Sequence, residues 1–381
     1  MKTGKIGIFG ASGFVGSTLC ERLYFEGEWD FVCFIRSSGN AGRISRLPVE
    51  IRIVDVLDSE SVLTALSQCD IVVNCVMGNN ASMLRGINNL VAAAKRIKTK
   101  KFIQLSSIAI YGQDPAPDSV TEQGVPNPGD NEYGIVKLRQ DKIVMGLQRV
   151  GIPTYTLIPG NITGPYSSFS RDLVLRLMAG PLPLVDGGRY PSNMIHVDNL
   201  VEAILAAIRS DGGAGERYFV NETRPVSWRE VFDDFSQRLG LSVEYVDVQL
   251  EQVLPFLKER RADAGLTSHL KIALSGEFRR AMGIMPVFNR LNRAAASSFE
   301  RLSPAVQNRI KERFKGPIRI VPPSTAPRLD ERYVKVQARR FYHSPEKLAR
   351  NLGWQPPLTY EQGVDTIVSW LEFAGIAPGR P

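Results

Sequence analysis

The strongest constraint on this chain is a run of glycines between two different hydrophobic patterns. Residues 5–9 include Ile6-Gly7-Ile8-Phe9, a short apolar run of strand type, and residues 14–26 carry a helical pattern. Between them lies Gly10-Ala11-Ser12-Gly13-Phe14-Val15-Gly16. Glycines at 10, 13 and 16 allow a tight turn, let backbone approach a pyrophosphate, and let the helix pack closely on the sheet. The helix N-terminus then offers free N–H groups and the positive end of its dipole to an anion. A glycine-rich turn with no ligand would use the same letters. The strand before it and the helix after it are the context that points to dinucleotide binding.

The alternation continues. Strand candidates at 31–35, 51–54, 71–76, 102–106 and 154–158 are separated by helical patterns at 59–68, 83–98 and 133–150. This order predicts an α/β fold, a doubly wound parallel Rossmann sheet with right-handed crossovers. After Pro159 the pattern breaks. Residues 160–195 read as loops around one helix at 171–178, followed by a helix at 198–209, a strand at 217–220 and a helix at 227–239. Two tail helices are expected at 344–352 and 360–374. The expected division is a cofactor domain over 1–165, with 194–221 returning to it. A smaller, mixed but mainly helical substrate domain follows over 166–381, with a basic helical insertion at about 245–335.

Composition narrows the classes. No uncharged apolar stretch reaches the roughly 18 residues that span a bilayer, and no secretory leader is expected. Cys20, Cys33, Cys69 and Cys75 include no C-x-x-C pair and read as reduced core residues of a cytoplasmic protein. His196, His269 and His343 are too scattered for a His-built metal site, so no metal is expected. The net charge of +8 is local: residues 258–319 hold 14 Lys+Arg and 5 Asp+Glu. A diffuse nucleic-acid-binding surface is therefore not expected.

The second strand ends Phe34-Ile35-Arg36-Ser37-Ser38. An acidic residue there would hold ribose hydroxyls; Arg36 instead offers a cation to a 2′-phosphate, with Ser37 as a further donor. This favours NADP over NAD, against the plainer reading of a solvated surface arginine. Asp55, after the third strand, is placed to meet the adenine edge or simply to close a turn.

The fifth strand runs into Ser106-Ser107 and on to Tyr111-Gly112, and a later helix opens with Tyr133-Gly134-Ile135-Val136-Lys137. A spacing of four puts Tyr133 and Lys137 one turn apart on one face. The ammonium is expected to lower the phenol pKa from about 10. A phenol so tuned passes a proton to or from a carbinol oxygen, and Ser107 can orient that oxygen.

These elements resemble an extended short-chain dehydrogenase/reductase of the kind acting on nucleotide-linked sugars. To the glycine turn and the Ser–Tyr–Lys set are added Pro159-Gly160-Asn161-x-x-Gly164-Pro165, Ile195-His196-Val197-Asp198-Asn199 and Leu352-Gly353-Trp354-x-Pro356. The resemblance leaves out roughly 245–335. It implies Ser107, Tyr133 and Lys137 as catalytic positions. It implies a cofactor set of Gly10, Ser12, Gly13, Phe14, Val15, Gly16, Arg36, Ser37, Asp55, Val56, Cys75, Lys137 and Pro159. Asn161 would contact substrate, and the helices at 83–98 and 133–150 would pair in a homodimer.

Departures from the family pattern select among its reactions. Ile108 and Ala109 stand where dehydratases carry an Asp-Glu pair, and Ala109 where an epimerase-reductase carries Cys. Met83 replaces a frequent Asn, and Ser192 a frequent Arg for which Arg189 can substitute. What remains is hydride transfer at a secondary alcohol or ketone. This would be 4-epimerisation or 4-ketoreduction of a nucleotide-activated or polyprenyl-diphosphate-linked sugar. The alternatives are reduction of a non-sugar ketone and a non-catalytic dinucleotide sensor. The basic stretch at 277–315 reads as solvated substrate-domain helices, as a cationic lip over a diphosphate, or as a peripheral membrane contact.

Overall fold

The computed structural model describes residues 4–112, 120–251 and 331–377. In chain order the strands among them are β1 (Ile6–Phe9), β2 (Phe31–Ile35), β3 (Glu50–Ile53), β4 (Ile71–Asn74), β5 (Lys101–Leu105), β6 (Thr154–Pro159), β7 (Asn161–Thr163), β8 (Leu182–Val185), β9 (Met194–His196), β10 (Glu216–Val220) and β11 (Tyr245–Val248). The α-helices are α1 (Phe14–Glu26), α2 (Ser59–Leu66), α3 (Asn80–Ile97), α4 (Glu132–Met145), α5 (Ser168–Met178), α6 (Val197–Arg209), α7 (Trp228–Arg238), α8 (Glu331–Gln337), α9 (Glu346–Leu352) and α10 (Tyr360–Phe373).

Seven strands form one parallel sheet in the order β10-β6-β5-β4-β1-β2-β3. Side chains alternate faces along a strand, and both faces are covered. Ile6 and Ile8 of β1 and Cys33 and Ile35 of β2 pack with Leu19 and Leu23 of α1 and with the apolar side of α6. Phe9, Val32 and Phe34 turn the other way, onto Val62, Ile87, Leu90 and Val144 of α2, α3 and α4. Burial on both faces is why these strands read as continuous apolar runs.

Side chains cap most of the helices. Asp58 accepts from Glu60 and Ser61 at the start of α2, Asn79 from Ser82 at α3, and Asn131 from Gly134 at α4. Asn79 also starts α3 three residues earlier than the periodicity indicated. Residues 146–150, expected to continue α4, tighten into a 3-10 turn closed by Gly151 at φ +77.

A second apolar cluster joins α5, α7, α10 and β8 through Leu173, Trp228, Phe232, Phe235, Tyr333 and Ile367. The stretch expected as loops, 160–195, contains β7, β8 and β9 as well as α5. These strands are three or four residues long and interrupted by Pro and Gly, so no periodicity announces them. Pairing with distant partners forms them, β7 with β9 and β8 with β11. The tail divides: α10 packs in the second cluster, while Leu348 and Leu352 of α9 and Trp354 pack in the sheet cluster. The Trp354 indole N–H donates to the Asn199 carbonyl at 3.0 Å.

The basic stretch 258–319, with the amphipathic 277–315 inside it, lies outside the described residues. So does the Pro-containing stretch 321–330 that follows it. Among the described residues no helix is long and apolar enough to cross a membrane.

Candidate active site

The strand order reverses at the β1/β4 junction, and ligands of such sheets bind in the crevice beyond the carboxyl ends of the strands there. Gly10 lies at φ +79, and a Cβ on it would stand 2.7 Å from the Cys75 carbonyl carbon and oxygen. A Cβ on Gly16 would stand 2.3 Å from the Gly10 carbonyl oxygen. Only glycine lets α1 start this close to β1 and β4. The N-cap of α1 is Gly13, with no side chain bonded to the first-turn N–H groups and no acid in that turn. α1 thus keeps an open, positive N-terminus, which fits a pyrophosphate.

The other nominated cofactor residues fall on the same edge. Ser12, Phe14 and Val15 are half-buried in the turn. Arg36 and Ser37 follow β2 and are exposed, and Arg36 has no ion pair among the described residues. Asp55 is exposed, with Oδ1 accepting from the Leu57 N–H at 2.9 Å. The Val56 carbonyl is held by Asn89 Nδ2 at 2.9 Å. Burial pushes the Cys75 thiol up to about 12, so it packs rather than reacts. Pro159 closes β6 and is buried.

Ser107 follows β5 and caps a 3-10 turn at Ile108–Tyr111, its Oγ accepting from the Ala109 N–H at 3.2 Å. A Cβ on Gly134 would stand 2.4 Å from the Ala109 carbonyl oxygen. Glycine there lets α4 lie against this turn, and that brings Tyr133 to Ser107. Ser107 is close enough to act on the Tyr133 phenol. Lys137, one turn along α4, is buried and donates to the Leu105 carbonyl at 3.0 Å.

The expected depression of the Tyr133 pKa is not found. Burial raises it to about 12, against a lowering by nearby Ser107. The Lys137 ammonium lies 5.9 Å from the phenol ring centroid and is engaged by Leu105, and burial pushes its own pKa down to about 8. In the chain alone, desolvation outweighs the ammonium.

Asp141 completes this face of α4, one further turn on. It is fully buried, and its Oδ2 accepts from Ser106 Oγ at 2.5 Å. Burial raises its pKa to about 6, opposed by the Ser106 bond and by the charges of Lys137 and Arg217. Sequence reasoning passed over it, although the 133–137–141 spacing was the available signal.

The two nominated substrate residues are committed to local partners. Asn161 Nδ2 donates to the Ser192 carbonyl at 2.7 Å, across β7 and β9. Arg189 is exposed, bonded to the Tyr190 hydroxyl at 3.1 Å and 3.5 Å from Asp186. The structure places another cation beside Ser107. Arg339 is 7% exposed, and its Nη1 donates to the Ile108 carbonyl at 3.1 Å. No motif marks it. Its neighbour His343 is buried against Phe219 and Tyr111. Burial and the Arg339 charge push its pKa down to about 3, so the ring is neutral. Among the described residues no cluster of three or more His, Cys, Asp or Glu could hold a metal ion.

Residues 6–220 match the NAD dependent epimerase/dehydratase family. The chain belongs to that family. It is 26% identical over 259 residues to a 3-diazoavenalumate denitrifying reductase of Streptomyces sp, covering 62% of this chain and 82% of the relative. It is 27% identical over 259 residues to the 2-alkyl-3-oxoalkanoate reductase of Shewanella oneidensis, covering 59% and 64%. The solved UDP-glucose 4-epimerase of Thermotoga maritima, with UDP-glucose, shares its fold. The TM-score is 0.66 at 17% identity, over 97% of this chain and 99% of that one. As a member of the extended short-chain dehydrogenase/reductases, the protein is an enzyme that uses a nicotinamide dinucleotide.

Within this epimerase/dehydratase chain the departures are built into the core. Ile108 and Ala109 are buried and supply no acid. Met83 is buried, and its carbonyl accepts from Gln140 Nε2 at 2.9 Å, tying α3 to α4. Ser192 is spent on the Val226 carbonyl at 2.9 Å.

Proposed function

We propose that the protein is an NAD(P)-dependent ketoreductase, interconverting a ketone and its secondary alcohol through Ser107, Tyr133 and Lys137. The observation that carries this is the convergence of Ser107, Tyr133 and Lys137: Ser107 acts on the Tyr133 phenol, and buried Lys137 lies one turn behind it, 5.9 Å from the ring centroid. The nicotinamide supplies or takes the hydride, and its oxidised ring adds the positive charge that the phenol lacks in the chain alone. Ser107 holds the carbonyl oxygen. Tyr133 gives that oxygen a proton in reduction and takes it back in oxidation. Lys137 stabilises the phenolate left between the two. With no acid at 108 or 109, the site has no group there for eliminating water. Arg36, exposed after β2 and without an ion pair among the described residues, supports NADP over NAD.

For the substrate we place a free ketone first, such as a 3-oxoalkanoate. Arg189, the nominated diphosphate cation, is taken up by surface partners, and two relatives are named as reductases of non-sugar compounds. The second reading is a nucleotide-activated sugar, reduced or epimerised at its 4-position. The fold likeness to a UDP-glucose 4-epimerase over nearly the whole chain favours it. The test is Tyr133→Phe. Turnover is expected to fall by about 10²–10⁴-fold while cofactor affinity, by titration of nicotinamide fluorescence, stays within a few-fold. Unchanged turnover refutes the role of Tyr133.

A further inference from the structure

The reaction just described leaves one buried charge beside the triad unused. Arg339 is 93% buried, yet no carboxylate among the described residues pairs with it. Among the described residues, its Nη1 donates to the Ile108 carbonyl at 3.1 Å. Burial pushes its pKa down to about 10, so it remains charged at neutral pH. A buried guanidinium is a strong site for an anion, because desolvation costs several kcal/mol and pairing offsets it.

The position is also fixed. The segment just after Arg339 is pinned by side chains from the strand ends: Asn193 Nδ2 donates to the Phe341 carbonyl at 2.9 Å, and Asn193 Oδ1 accepts from the His343 N–H at 3.0 Å. Asn221 Nδ2 donates to the His343 carbonyl at 2.7 Å. The one titratable ring beside it, His343, is neutral and does not compete for an anion. Ile108 directly follows Ser107 and consecutive Cα atoms are about 3.8 Å apart, so the guanidinium lies within about 12 Å of the Ser107 hydroxyl.

We propose that Arg339 is the subsite for a carboxylate of the substrate, carried a few bonds from the reacting carbonyl, as in a 3-oxo acid. This rests on the ketoreductase reading and deepens it. Ser107 and Tyr133 hold the ketone oxygen while Arg339 holds the acid end, and the carbonyl is aligned by its two ends. Arg339 touches substrate in this arrangement and sets specificity, whereas a purely structural arginine would only cap the 108–111 turn.

The experiment uses the full chain with NADPH and two probes, 3-oxooctanoate and its methyl ester, which differ by one charge. The wild type is expected to favour the acid by about 10- to 100-fold in kcat/KM, mainly through KM. In Arg339→Gln the acid/ester ratio is expected to collapse towards one, and in Arg339→Lys to be partly restored. A ratio is insensitive to the fraction of folded enzyme. A ratio near one in the wild type, or one unchanged in Arg339→Gln, overturns the Arg339 proposal and leaves the ketoreductase standing. Reduction of neither probe overturns both readings. Competitive inhibition by UDP that Arg339→Gln abolishes, with no acid preference, assigns the residue to a diphosphate and overturns the carboxylate.

Discussion

Asp141→Asn separates the stability of this site from its activity. Burial raises the Asp141 pKa from 3.8 to about 6. An acid whose folded pKa is raised binds its proton more tightly when folded, so stability falls as pH rises through the window from about 4 to 6. At 1.36 kcal/mol per pKa unit, the full cost above pH 6 is about 3 kcal/mol. Asparagine keeps an oxygen for Ser106 and removes the charge. Relative to wild type, the variant is expected to gain about 2–3 kcal/mol between pH 4 and pH 8, read from urea unfolding at both pH values. Activity should move the other way. The carboxylate is one of the charges holding Lys137 protonated. At an effective dielectric of about 20 and a separation of about 6–8 Å, losing it costs the ammonium about 2–3 kcal/mol. Lys137, at about 8 in the wild type, then loses its proton about one to two units lower, and the alkaline limb of reduction should shift down accordingly. The reasoning fails if the variant's stability change is the same at both pH values, or if the alkaline limb does not move.

Two further outcomes can be checked. Arg36→Ala is expected to weaken NADP binding by about tenfold or more while NAD binding changes little, and parallel titrations that weaken equally would show Arg36 reads no 2′-phosphate. Lys101 Nζ donates to the Ala207, Ile208 and Ser210 carbonyls at 3.1, 2.6 and 2.6 Å, at the carboxyl end of α6. Lys101→Met should cost about 1–3 kcal/mol in unfolding free energy, and a variant as stable as wild type would refute that capping role.

The parts legible in the sequence are those with a periodicity or a local motif. The glycine turn needs its glycines because β1, β4 and α1 converge there, so the letters and the geometry carry the same information. The spacing of Tyr133 and Lys137 survives because α4 is regular. The short strands β7 and β8 were not legible, since their partners lie 33 and 63 residues away. Nor was the Tyr133 pKa, because burial is a property of the packed site rather than of helical spacing. Arg339 was invisible for a related reason. It is an ordinary charged residue until the chain beyond α8 folds back over Ile108.

β8 has a consequence for how this chain can vary. β11, just before residues 252–330, pairs with β8 along Leu182–Val185. Just after them, Tyr333 donates to the Pro183 carbonyl at 2.7 Å, and Gln337 accepts from the Val185 N–H at 3.0 Å. The chain therefore leaves and rejoins the fold on one four-residue strand. Closing a loop between such fixed posts costs only about 0.6 kcal/mol more for each doubling of its length. Descendants can lengthen, shorten or replace what lies between without re-threading the sheet, so this junction is a natural grafting point for acquiring new recognition.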